Sequence, residues 1–225
     1  MRLAGREWRT LVSAVRLGGD GYRVIRPSRP IPHASLRETS RGAQMSVDKA
    51  ATVDLAFAWW LAARSPRSLV YLPLRSSPSR CGEEYGGGRK LDLVLLHHSL
   101  RFPVSRWKQV RAGLSPAAVH KVALPPDAFR TIEREEHERR HHREFRDHLR
   151  WTIAADTLFV VGSRPAYELQ GDQVRGLAED CPAHIAALPD THCCAEIGLG
   201  RHKRSNPDAR NPLVELHVEC CNRHW

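Results

Sequence analysis

The run of residues 91–102, LDLVLLHHSLRF, constrains the fold more than any other stretch of the chain. Side chains of a strand alternate between two faces, and here both faces are apolar after the single charged residue Asp92. A strand of this composition is covered on both sides and lies inside a sheet. Three glycines at residues 86–88 precede the run and Pro103 follows it, and neither signal favours regular pairing. The sequence therefore predicts a central strand.

Two adjacent histidines, His97 and His98, stand at the end of this strand. Because neighbouring strand residues face opposite sides, we expect at most one of them to reach any single cleft. One interpretation is an exposed histidine beside a hydrogen-bonded, half-buried one. The other is a general base, since imidazole titrates near neutral pH. For that role we favour His98 over His97, because His98 shares the side-chain parity of Val94 and Leu96.

An apolar strand that runs into His-His resembles the start of the HHxxxDG motif of condensation domains and chloramphenicol-acetyltransferase-like acyltransferases. In that family the second histidine is the base, so the resemblance implies acyl transfer with His98 in this role. Phe102 and Pro103 replace the Asp and Gly of the motif. The resemblance covers the two histidines and the preceding strand.

The positive charge of the chain is unevenly distributed. The formal net charge is +10, and residues 1–44 hold nine arginines against three acidic residues. This stretch also contains a proline-rich segment and little hydrophobic pattern after Val15, so we expect a weakly ordered basic extension. Met45, followed by the good helix cap Ser46, is also an alternative translation start. Residues 45–225 are expected to form a single domain.

After residue 45 the periodicity predicts helices and strands in an irregular order. The predicted helices are residues 46–64, 104–114, 127–152 and 171–179, and the predicted strands are residues 68–74, 91–102, 117–124, 157–161, 194–199 and 213–220. A doubly wound sheet requires regular alternation, which is missing. The order predicts an α+β fold with a single mixed or antiparallel sheet covered by several helices.

Two groups of basic side chains are candidates for a binding surface. They are Arg106, Lys108 and Arg111 on the predicted helix after the histidines, and Arg201, Lys203, Arg204 and Arg210 in the loop of a C-terminal hairpin. Such groups bind phosphate or an acidic surface, although they are also common on solvated faces. We expect an accessory or binding protein that contacts an acidic macromolecular partner, a carrier protein or a nucleic acid. The alternative is an enzyme of acyl-transfer or related acid/base type that uses His98 or His97.

No metal or cofactor is expected from the sequence. The segment HERRH at residues 137–141 has the HExxH spacing of zinc peptidases, but it lies in a run that is charged on every side and rich in i,i+4 ion pairs. His217 and Cys220 or Cys221 come within reach of Cys193 or Cys194 if the last two strands pair, and thiols with an imidazole can begin a zinc site. We expect buried free thiols there instead.

The chain contains no run of about 20 apolar residues and no apolar segment of secretory type near residue 1. We therefore expect a cytoplasmic protein without membrane contact, whose thiols are mostly reduced.

Overall fold

The computed structural model describes residues 2–39, 42–79, 88–115, 118–139, 142, 144–188, 191–200 and 215–221. In these residues a seven-stranded sheet has the order β7-β1-β2-β5-β6-β9-β8, and a four-stranded sheet has the order β10-β11-β4-β3. The strands are β1 (Glu7–Leu17), β2 (Asp20–Pro27), β3 (Ala34–Thr39), β4 (Gly42–Val47), β5 (Ser68–Leu72), β6 (Asp92–His97), β7 (Ala118–Ala123), β8 (Arg150–Ala154), β9 (Thr157–Gly162), β10 (Cys194–Gly198) and β11 (Glu215–Cys220). The helices are α1 (Lys49–Arg64), α2 (Trp107–Ala112), α3 (Arg134–Arg139), α4 (Arg164–Glu179) and α5 (Cys181–Ala187). The α+β class is confirmed, whereas the expectation of a single sheet is corrected to two sheets.

Strand β6 is central, as its two apolar faces predict. It pairs antiparallel with β5 and parallel with β9. Leu93 and Leu95 belong to a core shared with α1 and α4, and Val94 and Leu96 belong to a second core on the other face that contains Trp107. The strand ends earlier than the apolar run, because residues 98–100 form a 3-10 turn.

The first 47 residues contribute four strands, so the structure differs from the expected weakly ordered extension. β1 and β2 form a hairpin around Gly18, whose φ of +63° favours glycine. β2 continues the large sheet by parallel pairing with β5. β3 and β4 pair with each other, and β4 joins β11 in the small sheet.

The reason for this difference is the position of the arginines on the strands. In β1, exposed Arg9 and Arg16 alternate with buried Trp8, Thr10 and Val15. This is the period of two that a half-buried strand requires. The high arginine content indicates solvent-facing strand positions, and it does not indicate disorder here.

Helices α1 and α4 pack against each other and contact both sheets. Asp48 caps α1, since its Oδ1 accepts a hydrogen bond from the Ala51 N–H at 2.7 Å, and Ser46 lies in β4 instead. The buried Trp59 Nε1 donates to the Tyr167 carbonyl at 2.8 Å, and the two rings meet edge to face. The helix pair is thus joined by a polar contact inside an apolar layer.

The predicted helix over residues 127–152 is wrong. Only α3 is helical in the described part of this segment, and the segment ends in strand β8. Side chains of α3 do pair locally, as Arg134 and Glu138 show at 2.8 Å, but none of its residues is buried. Local ion pairs contribute only a few tenths of a kcal/mol each, roughly, so they do not maintain a long helix without an apolar face.

None of the helices in the described ranges is long and apolar enough to span a bilayer.

The structure predicts that residues 1–44 are required for folding. Their removal deletes β1, β2 and β3 and exposes the edge of β5, whose residues are all buried. We expect a chain that starts at Met45 to lose the cooperative thermal transition of the full-length protein, as followed by circular dichroism. A truncated chain that melts within a few degrees of the full-length protein would contradict this role of the strands.

A half-buried carboxylate connects β1 to α1. Trp8 Nε1 donates to Asp54 Oδ1 at 2.6 Å, and the Trp8 ring stacks on Phe57. Burial raises the pKa of Asp54 from 3.8 to about 6, although the hydrogen bond from Trp8 opposes the shift. The folded chain therefore holds this proton more tightly than the unfolded chain, and stability falls as pH rises from about 4 to about 6.

We predict that Asp54→Asn removes this pH dependence. The amide keeps an acceptor for Trp8 but lacks the negative charge of the carboxylate. At pH 7.5 the variant therefore gains roughly 1 to 3 kcal/mol of unfolding free energy, and at pH 4 it gains little. Urea denaturation at both pH values measures the difference, and the exposed Asp127→Asn is the matched control. Equal pH dependence in Asp54→Asn and the parent protein argues against a raised pKa.

Candidate functional site

The candidate site is a cleft at the end of the two central parallel strands. β6 and β9 pair up to His97 and Gly162, so the residues that follow each strand lie side by side. The cleft has a volume of about 480 Å³. It is lined by His98, Arg146, Asp147, His148, Arg150, Gly162, Ser163 and Gly200. Loops at the carboxyl ends of parallel strands are a frequent place for ligands in sheet proteins.

Of the two histidines, His98 lines the cleft and is exposed, and His97 is half-buried beside it. Their rings lie 4.7 Å apart, edge to face. The two histidines do not follow the alternation of a strand, because β6 ends at His97 and His98 begins a 3-10 turn. The two histidines are therefore neighbours in space.

His97 is held by local hydrogen bonds. Its Nδ1 accepts from the Ser99 N–H at 3.2 Å and lies 2.8 Å from the Ser99 hydroxyl. Burial lowers the pKa of His97, the adjacent His98 lowers it further, and Asp147 acts in the opposite direction. These contacts make His97 a support for the turn that carries His98.

Asp147 and Ser163 line the cleft near the start of α4. The Ser163 hydroxyl donates to Asp147 Oδ2 at 2.5 Å and accepts from the Ala166 N–H at 3.1 Å. Ser163 is thus the N-cap of α4, and Asp147 lies where the helix dipole stabilises a negative charge. Because Pro165 has no N–H and the Ala166 N–H is used by the cap, the first turn offers few donors to a ligand.

The remaining side chains make the cleft predominantly basic. Arg146 and Arg150 are exposed, and His148 is half-buried. His148 Nε2 lies 3.2 Å from the Phe145 carbonyl, and its ring packs edge to face on the Phe145 ring, which positions the imidazole at the wall of the cleft. Three basic groups besides His98 therefore face a single carboxylate.

The basic helix predicted after the histidines is largely engaged in internal contacts. Arg106 contacts Asp20 and donates to the Tyr22 hydroxyl at 3.2 Å. Arg111 donates to Asp92 Oδ2 at 3.3 Å and to the Ala155 carbonyl at 3.2 Å. Lys108 is exposed. The three side chains are not brought together as one basic surface.

The hairpin-loop candidates Arg201, Lys203, Arg204 and Arg210 lie outside the described residues. Gly200, which directly precedes them, lines the cleft. The HERRH segment is described only at residues 137–139, so the expected absence of zinc there stays a prediction.

The opposite end of β6 carries a buried ion-pair network. Asp92 Oδ2 accepts from Arg75 Nε at 3.0 Å, from Arg111 and from the Tyr71 hydroxyl at 3.1 Å. Burial and the neighbouring carboxylate raise the pKa of Tyr71, so its hydroxyl remains a hydrogen-bond donor. This network stabilises the start of the central strand, and its arginines neutralise Asp92, the single charged residue of the apolar run.

Among the C-terminal thiols, that of Cys193 differs from the expected free state, whereas those of Cys194 and Cys220 are free as expected. Cys181 and Cys193 form a disulfide next to buried Cys220, whose pKa burial raises to about 12. Cys194 points to the other side of β10, where its sulfur lies near ring nitrogens of His192 and His217. The predicted pairing of the last two strands is confirmed.

The sequence did not predict five polar residues of the cleft, Arg146, Asp147, His148, Arg150 and Ser163. The first four lie in the segment that was predicted as a continuous helix. Ser163 carried a usable signal, because a cap residue followed two positions later by proline marks a helix start. The predicted start at Gly171 missed it.

Comparison with known families, curated sequences and solved structures finds no match to this chain. The resemblance to the HHxxxDG motif receives no support from the fold around it, since Phe102 packs in the core against Tyr22 and Trp107 where the motif has its aspartate. The proposed function therefore rests on the residues that line the cleft.

Proposed function

We propose that the cleft binds a phosphate or other anionic group presented by a larger acidic partner. The observation that carries this proposal is the convergence of His98, Arg146, His148 and Arg150 in one cleft. Arginine recognises phosphate and carboxylate through a planar pair of donors, and histidine adds charge when it is protonated. Asp147, the one acidic residue among those that line the cleft, accepts a hydrogen bond from Ser163.

The cleft is large enough to hold a small anionic group together with the part of the ligand to which that group is attached. A volume of about 480 Å³ lies in the range of ordinary ligand sites, roughly 300 to 1,000 Å³. The dipole of the 16-residue helix α4 contributes a positive field at the same end. Side chains supply most of the hydrogen bonds, because the first turn of α4 uses its own donors.

The partner is of the class expected from the two basic groups of the sequence, an acidic carrier protein or a nucleic acid. Both present phosphate or carboxylate groups to a basic site. Because Arg106 and Arg111 are held by internal contacts, the cleft replaces the α2 helix as the centre of the proposed basic site. The basic hairpin loop continues in sequence from Gly200 at the cleft.

Binding of a labelled short single-stranded oligonucleotide, followed by fluorescence anisotropy, tests this function, with inorganic phosphate as competitor. Arg150→Ala and His98→Ala should each weaken binding roughly tenfold, the loss of one charged hydrogen bond. Arg16→Ala, at an exposed position of β1, is the charge-matched control, and His120→Ala, at an exposed position of β7, is the control for His98. Equal weakening by Arg150→Ala and Arg16→Ala would mean that only net charge matters and would refute the cleft as the site.

A second candidate function is acid/base catalysis of the acyl-transfer or related type by His98. It is favoured by one observation, the presence of Asp147 and His148 in the cleft that His98 lines. In this function His98 exchanges a proton with the reacting group, and Asp147 stabilises the charged site.

Turnover of activated acetyl and phosphate esters by the full-length chain distinguishes catalysis from binding alone. If His98 is the general base, His98→Ala lowers the rate about 10²- to 10⁴-fold, and His97→Ala has a much smaller effect. Circular dichroism confirms that both variants are folded. Equal small effects of the two substitutions would eliminate the catalytic proposal and leave oligonucleotide binding as the test of the cleft.

A further inference from the structure

The C-terminal hairpin presents metal-ligating side chains on the face that points away from the core. In β10 and β11 the buried positions are Ala195, Ile197, Leu216, Val218 and Cys220. The alternate positions carry Cys194, His217 and Glu219, and Cys194 lies directly opposite Glu219 in the register. A period of two therefore separates an apolar side from a side with thiol, imidazole and carboxylate groups.

Two of these outward residues, Cys194 and His217, lie close to His192, which precedes β10 in the sequence. His192, Cys194 and His217 each place one ligand atom within 4.8 Å of the others. Zinc bonds of about 2.3 Å to sulfur and about 2.0 Å to nitrogen place ligand atoms about 3.5 Å apart in a tetrahedron. Small side-chain rotations are thus enough to close the three atoms around one ion. This cluster is separate from the residues that line the cleft.

His217 supplies an independent sign of a missing ligand. Its Nε2 is buried and has no hydrogen-bond partner in the described residues. An unpaired buried polar atom costs roughly 1 to 3 kcal/mol, so such atoms are rare unless they have a function. A metal ion bound to Nε2 removes this cost.

The second imidazole has the support that metal-ligating histidines require. His192 Nδ1 lies 3.5 Å from Glu219 Oε1, and Gln44 Nε2 donates to the other oxygen of Glu219 at 3.0 Å. A carboxylate in this position orients the ring and makes it a stronger ligand. Gln44 comes from β4, so the chain of contacts fixes the carboxylate on the small sheet.

We propose that His192, Cys194 and His217 bind a zinc ion, with water in the fourth position. One thiolate and two imidazoles suit this borderline-soft cation, and they suit magnesium or calcium poorly. The Cys194 thiol loses its proton when the Zn–S bond forms, so one proton is released to solvent. Glu196, Glu215 and Glu219 add negative charge around the ion, and the same carboxylates, after burial, raise the pKa of the Cys194 thiol in the apo protein.

The core-side thiols form a competing cluster that the experiment has to separate. Cys181, Cys193 and Cys220 also lie within 4.8 Å of one another, but two of them form the disulfide. Without added reductant, this cluster offers a single thiol with a strongly raised pKa. Zinc titration of the oxidised, chelator-treated full-length protein therefore reports on the outward cluster.

The test is titration with Zn²⁺ against a chromophoric chelator, together with the absorption spectrum of the Co²⁺-substituted protein. We expect one equivalent of zinc and a thiolate-to-cobalt charge-transfer band. Cys194→Ser should abolish the band, and His217→Ala should abolish stoichiometric binding. Glu219→Gln should weaken the affinity about 10- to 100-fold, because it removes a partner of His192 without removing a ligand.

Two controls make the outcomes decisive. Cys220→Ser changes the core-side cluster, and His120→Ala removes an exposed histidine on β7, so both should bind zinc as the parent protein does. Circular dichroism monitors the folding of each variant. If His217→Ala does not fold, loss of the cobalt charge-transfer band in Cys194→Ser still tests the site. Absence of stoichiometric zinc, or zinc that survives Cys194→Ser and disappears in Cys220→Ser, would overturn the proposal.

Discussion

The hydroxyl of Tyr167 holds together the elements on which the architecture depends. It accepts a hydrogen bond from the Leu96 N–H at 3.0 Å and donates to the Val160 carbonyl at 2.7 Å, so it bridges β6 and β9. The carbonyl of the same residue accepts from Trp59 on α1. Since Tyr167 is fully buried, each of these groups would be costly to leave unpaired. One residue thus connects both central strands to both main helices.

This bridge also fixes the geometry of the cleft. Leu96 is the residue before His97, and Val160 lies close to the start of α4, so Tyr167 sets the distance between the strand ends. The cap formed by Ser163 and Asp147 then directs α4 away from that point. At the other end of β6, the arginines around Asp92 keep the strand in register. The cleft therefore lies at the end of a strand that is held in position by Tyr167 at one end and by the ion pairs of Asp92 at the other.

The sequence predicted what depends on local apolar pattern and missed what depends on tertiary context. The apolar faces of β6 and the helical periodicity of residues 46–64 identified both elements correctly, although β6 ends at His97 and α1 begins at Lys49. The strands before residue 47 were missed because exposed arginines on one strand face resemble the composition of a disordered segment. Residues 133–144 have no apolar face, and ion pairs between charged side chains do not by themselves stabilise a long helix, so the long helix predicted there was wrong. Asp147 and His148 were lost with that error, because no local pattern places a loop residue in a cleft.

The pairing of β4 with β11 joins segments that lie near opposite ends of the chain. Gly42 to Val47 are in parallel register with Glu215 to Cys220, so the small sheet closes a loop of more than 160 residues. During synthesis, β4 can pair with β3 at once, but its other edge lacks a partner until residues 215–220 have been made. Such long-range contacts slow folding, because the chain entropy is lost before the contact is gained. Completion of the small sheet is thus a late step that waits for residues 215–220, and until then the edge of β4 is open to association with other chains.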